Sequence, residues 1–140
     1  ELKKNIDNKK TVLITSGDEF KKAKKEDIAL ILSSIYKWKD AWKVSNINEY
    51  LSFYSKEFKR SDRTDFNTFA NQKKQVFAKN ENKIINLYNM DISPYPNSLG
   101  KKIYRAVMDE EYYSPSVKFV GKKELFIEVA NNKVQILAED

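Results

Sequence analysis

The chain has 140 residues, 41% of them apolar and 33% charged, which gives one domain with one core and excludes a disordered polymer or two ordinary domains. Its 26 basic and 20 acidic residues leave a net charge of +6, which suits an anionic partner (nucleic acid, anionic lipid, cell-wall polymer) or simply a solubilising Lys-rich surface. Neither Cys nor His is present, which removes thiol nucleophiles, Cys/His zinc sites, imidazole bases and His-based triads.

Residues 1–10, "ELKKNIDNKK", read as a polar linker, and "TVLI" (11–14) as a short strand followed by turn chemistry around Gly17. Ile28, Ile31, Ile35, Trp38 and Trp42 then recur at spacings of three and four, one stripe of an α-helix over about 24–44. Asn46 and Glu49 form a capping-box pattern ahead of Ile47, Tyr50, Leu51 and Tyr54, which predicts a second helix over 46–55. Thr64 or Asp65 caps a third, over 65–79, with Phe66, Phe69, Ala70, Lys73, Val76 and Phe77 on one side.

Near residue 82 the period changes from 3.6 to 2. Residues 83–96, 101–113, 117–129 and 133–139 read as four strands, with the Pro-rich "SPYPNSLG" as the loop between the first two and "ANN" as the turn between the last two. Helices first and strands afterwards predict an α+β fold with an antiparallel sheet. No apolar run approaches the ~18–20 residues that span a bilayer. Only Arg60, Arg63 and Arg105 are arginines, so sequence-specific nucleic-acid reading is not expected.

Six aromatic rings fall within "WKDAWKVSNINEYLSFYSKEF" (38–58). Trp38 and Trp42 lie on the apolar stripe and read as core anchors rather than a ligand stack. Tyr54, Tyr88, Tyr104 and Tyr112 read either as pocket-lining hydroxyls or as core-edge tyrosines. In "DEEYY", strand alternation sends Glu110 to the face opposite Asp109 and Glu111. An inward Glu110 beside a lysine would be held ionised, as a paired carboxylate and not a poised base. The clusters at Lys21–Lys25, Lys73/Lys74/Lys79 and Lys101/Lys102 read as solvated faces, although Lys101, Lys102 and Arg105 together would attract an anionic glycan or a peptide carboxylate.

The order "W38-x3-W42", "Y50-L51-x2-Y54", "F58", a helix with Lys73-Lys74, "E110-E111-Y112-Y113-S114", "G121-K122-K123-E124-L125" and "I136-x2-E139" resembles the nuclear transport factor 2-like domain that follows the catalytic domain of L,D-transpeptidase-type peptidoglycan enzymes, among them cell-shape-determining L,D-carboxypeptidases. The sequence departs from that family at Glu110, where Gln is usual, and at Val134-Gln135-Ile136, where an aromatic is usual. The resemblance implies a cone of three N-terminal helices on a curved antiparallel sheet over residues 25–140, with 1–24 as a connector that includes a short strand. Since the sequence begins at Glu1 and not Met, it reads as a mature or excised piece.

The function implied is that of a non-catalytic accessory domain, periplasmic, with no cofactor, no metal and no catalytic residue. It would bind wall peptide or glycan, or position a catalytic domain or a partner, with a homodimer as one option. Two other readings stay open: a small isomerase- or dehydratase-type pocket enzyme, and a pure dimerisation or interaction module. The expected ligand site lies between helices and concave sheet. It comprises Tyr54 from the second helix, Lys74 from the third, Glu110 and Tyr112 two apart on one strand, and Lys123 on the next. One carboxylate, two ammonium groups and two phenols around an apolar floor would suit a zwitterionic peptide stem. The same five residues would otherwise form an internal hydrogen-bonded cluster.

Overall fold

The computed structural model describes residues 17–140, with side chains from Lys24 onward. The strand expected over 11–14 lies outside the described residues. Helix α1 runs Gly17–Lys43, so Gly17 opens a helix where a turn was expected. Its stripe is seated as the spacing predicts, with Ile31, Ile35, Trp38 and Trp42 all buried. The helix ends in a Schellman arrangement. Ser45 adopts φ 59°, Asn46 N–H reaches Ala41 O at 2.9 Å, and Ser45 N–H reaches Trp42 O at 3.2 Å. Asn46 then caps α2 (Ile47–Ser52) by accepting from Glu49 N–H at 3.2 Å.

The second helix stops sooner than predicted. Tyr54 is the first residue of a strand, β1 (Tyr54–Arg60), and does not belong to α2. The spacing Tyr50–Leu51–Tyr54–Phe58 fits a helix locally. The strand is instead selected by partners about eighty residues away. β1 pairs in parallel with β5 (Lys133–Glu139), Tyr54 opposite Ile136, and Ile136 N–H donates to Phe53 O at 2.8 Å. α3 (Phe66–Ala78) follows, capped by Asp65, which accepts from Thr68 N–H at 2.9 Å.

The remaining strands are β2 (Ile84–Pro94), β3 (Ile103–Tyr113) and β4 (Lys118–Ala130). The sheet order is β1-β5-β4-β3-β2. Among the described residues it has five strands, where four were expected over 83–139, and it is mixed because β1 runs parallel to β5. Asn131 and Asn132 take φ 54° and 58° in the β4–β5 turn, the left-handed pair that a two-residue hairpin requires. The main core lies between the helices and the concave face, where Trp38, Tyr50, Tyr54, Phe58, Phe69, Met108, Leu125 and Ile127 are buried together. A smaller cluster of Ile103, Phe126, Leu137 and Ala138 is packed by Tyr95, whose ring meets Phe126 edge-on at 4.9 Å. Residues of the β2–β3 loop thus cover part of the outer face.

A polar tie fixes α1 to β3. Buried Asp27 accepts from the Tyr104 hydroxyl at 2.6 Å and from Lys102 Nζ at 3.2 Å. Burial, then the adjacent Asp27, push the Tyr104 phenol well above its ordinary pKa. The Lys102 side chain is 57% exposed, so its share is small. Asp27→Ala is therefore expected to cost about 2 kcal/mol by orphaning a buried hydroxyl, and Lys102→Ala less than about 0.5 kcal/mol. Urea melts of the two variants check this, and equal losses would contradict it.

Candidate functional site

The concave face carries Met108, Glu110 and Tyr112 from β3 opposite Lys123, Gly121 and Phe119 from β4. Alternation does what the sequence predicted. Glu110 turns inward and is 5% exposed, whereas Asp109 faces out and takes Lys122 at 2.7 Å. Lys123 Nζ lies 3.2 Å from Glu139 Oε2 and 3.6 Å from Glu110 Oε1. The second distance is too long for a hydrogen bond. Among the described residues, Glu110 Oε1 is the buried side-chain polar atom left without one.

Glu139 is, by contrast, fully engaged. The Tyr54 hydroxyl lies 2.9 Å from Glu139 Oε1 and 3.0 Å from the Tyr50 hydroxyl, and Trp38 Nε1–H donates to Tyr54 Oη at 3.1 Å. Tyr54 has one proton, and the carboxylate is the stronger acceptor, so Tyr50 supplies the hydrogen between the two phenols. Trp38 and Tyr50 thus both donate to the Tyr54 oxygen, and Tyr54 donates to Glu139.

The electrostatics separate the two carboxylates. Burial would push Glu139 up, but Lys123, Lys73 and the Tyr54 and Lys123 hydrogen bonds outweigh it and hold Glu139 below the usual carboxylate range. Burial would likewise lower Lys123, yet Glu139 and Glu110 hold it above the ordinary lysine value. At Glu110 burial wins over Lys123, and its carboxyl sits above the usual range. This corrects the sequence expectation of a Glu110 held down by its cation. The cation is shared, and Glu139 has the nearer half of it. Burial also pushes Tyr50 and Tyr54 well above ordinary phenols, with Glu139 adding to it.

Of the five residues predicted for the site, Tyr54, Glu110 and Lys123 are brought together, Tyr54 from β1 and not from α2. Tyr112 lies beyond Glu110 on the same face, stacked on Trp42 at 5.4 Å and 14°. Lys74 is not in the group. It is exposed and lines a separate groove of about 450 Å³ with Asn48, Leu51, Lys56, Phe66 and Asn71. Its neighbour Lys73 takes its place, half-buried with its ammonium 5.5 Å from the Phe69 ring centre. Burial lowers the Lys73 pKa against the pull of Glu139 and Glu110. The helical spacing held the signal, since Lys73 is four residues from both Phe69 and Phe77, which are buried. Glu139, Lys73 and Tyr50 are the members that residue patterns did not select. The expected apolar floor is filled by side chains. The Tyr54 ring lies 4.8 Å from Phe69 and 4.9 Å from Phe58, and Tyr50 lies 4.9 Å from Phe77.

Helices across the concave face of an open, curved, five-stranded sheet, with a charged cluster sunk into that face, define a nuclear transport factor 2-like domain. More narrowly, the chain belongs to the family described as the Cds6 C-terminal NTF2-like domain, which matches residues 30–140. No curated protein matches the chain. Among solved structures it is similar to the helical cell shape determining protein Pgp2 of Campylobacter jejuni, a point mutant in this case. The identity is 41% and the TM-score 0.78, over 81% of this chain and 40% of that one. The chain therefore spans about two fifths of that protein's length. Bd1075 of Bdellovibrio bacteriovorus, at 20% identity, TM-score 0.68 and 90% and 42% coverage, shares the fold. So does an NTF2-like-family putative dehydratase from Streptomyces avermitilis, at 8% identity, TM-score 0.66 and 81% and 93% coverage. Among the described residues no helix is long and apolar enough to cross a membrane.

Proposed function

We propose that the chain is a non-catalytic accessory domain of a periplasmic, L,D-transpeptidase-type peptidoglycan-modifying enzyme, and that the Glu110–Lys123–Glu139 cluster with Lys73 and Tyr112 binds wall peptide. One observation carries this reading: Glu110 keeps a buried carboxylate oxygen without a hydrogen bond, beside a Lys123 that stands nearer to Glu139. A purely structural cluster has no use for such an atom, because an unmet buried acceptor costs about 1–3 kcal/mol. A binding site does, because the ligand supplies the missing donor. The similarity to a cell shape determining protein supports the wall as the source of the ligand.

A second reading has one observation in its favour. A carboxyl raised by burial, as at Glu110, is what a general acid or base of an isomerase or dehydratase needs. NMR titration with muropeptide fragments, alongside an assay for their turnover, separates the readings. The expected result is shifts at Tyr54, Glu110, Tyr112 and Lys123 without turnover. Shifts confined to the Lys-rich outer surface, with Tyr54 and Tyr112 silent, would sink the binding site. Turnover abolished by Glu110→Gln would establish the enzyme.

A further inference from the structure

Glu110 has an unusual neighbour. Its partner across the β3–β4 ladder is Gly121, and the Phe119 ring lies over that glycine on the same concave face. A Cβ at position 121 would stand 2.8 Å from Phe119 Cζ. Phe119 is 45% exposed and opposes Tyr112 in register, and Tyr112 is stacked in turn on Trp42. Aromatic rings from α1, β3 and β4 thus lie in a row on the sheet face beside Glu110, a residue that is 5% exposed. Lys123 cannot complete that acceptor from where it stands, because it is drawn toward Glu139.

Resting on the wall-peptide reading, we propose that Glu110 receives a primary amine of the ligand, carried on a short methylene chain that lies against Phe119 and Tyr112, as in the side chain of a diamino acid. Three features select that chemistry. A buried carboxylate oxygen calls for a donor, and a charged donor makes a bond roughly twice as strong as a neutral one. A ligand carboxylate is repelled at Glu110 and would go instead to Lys73. Aromatic faces favour both methylenes and an adjacent ammonium. Gly121 has an ordinary negative-side backbone, since Gly100 is the glycine at positive φ. A side chain at 121 would thus have to displace the Phe119 ring and would not strain the chain path.

Calorimetric titration of the chain with a disaccharide tripeptide ending in a diamino acid tests this, using the side-chain amine either free or N-acetylated. With the unaltered protein, acetylation is expected to weaken binding by about tenfold or more, one charge-assisted hydrogen bond. Glu110→Gln is expected to bring the two peptides to within about twofold of each other. Gly121→Ala, which displaces only the Phe119 ring, is expected to weaken the free-amine peptide several-fold at an unchanged melting temperature. If the unaltered protein binds both peptides equally, the amine assignment is wrong while the wall-peptide reading stands. If it binds neither, both fall.

Discussion

Trp38→Ala destabilises the domain by about 3–5 kcal/mol, the scale for deleting a buried large aromatic. Trp38 is 1% exposed. Its ring stands 5.4 Å from Trp42 and 6.0 Å from Tyr50, so truncation leaves a cavity between α1 and α2 that cannot easily collapse. It also removes the indole N–H from Tyr54 Oη, so the damage reaches the hydrogen bonds at Glu139. Trp38→Phe keeps most of the ring volume and loses the N–H, and should cost only about 1–2 kcal/mol. Denaturant melts of the two variants give the comparison. An unchanged midpoint for Trp38→Ala, with ligand binding lost, would instead make Trp38 part of an aromatic box.

The sequence was most legible where one local period governed one element. The α1 stripe, the β5 bounds and the inward turn of Glu110 follow from spacings of 3.6 or 2, and the α3 cap, read as Thr64 or Asp65, from residue type. What local pattern missed depends on distant partners. β1 exists because β5 offers it an edge, and nothing between residues 54 and 60 reports that. Glu139 is the sharper case. Counted by alternation from inward-facing Ile136, it should face out. The β4–β5 register shifts between Phe126 and Ile127, however, so that Ile127 opposes Ile136 while Leu125 opposes Glu139. That irregularity reverses the parity and brings Glu139 inside. Only the resemblance, through "I136-x2-E139", pointed to it. Lys73 was a different kind of miss. Its stripe was visible, but Lys74 lies three residues from Phe77 where Lys73 lies four, both within one turn, and a helix separates adjacent residues by about 100°.

Glu139→Gln lowers stability at neutral pH by about 3 kcal/mol, near the low end for breaking a buried pair because Lys123 keeps Glu110 nearby. In a domain of this size that is a fall of about 10 °C in Tm. Glu110→Gln leaves Tm unchanged or raises it. The signs follow from the two shifts. Glu139 is held below its ordinary pKa in the fold. Its contribution is thus present above the unfolded carboxylate pKa and is lost as pH falls through the folded value. Glu110 is held above its ordinary pKa. Its ionisation therefore costs stability as pH rises from the unfolded toward the folded value, and the amide removes that cost. The deficit of Glu139→Gln should accordingly shrink in acid, and any advantage of Glu110→Gln should shrink with it. Melting curves of the three proteins at neutral and acidic pH decide the matter. If Glu110→Gln were the more damaging variant at neutral pH, the fold itself would be using both carboxylates, and Glu110 would have no unmet bond to offer. The predicted asymmetry separates a carboxylate that the fold consumes from one that it carries at a cost. Two carboxylates sharing one lysine across a single sheet face differ in this way because the lysine stands nearer to Glu139 than to Glu110.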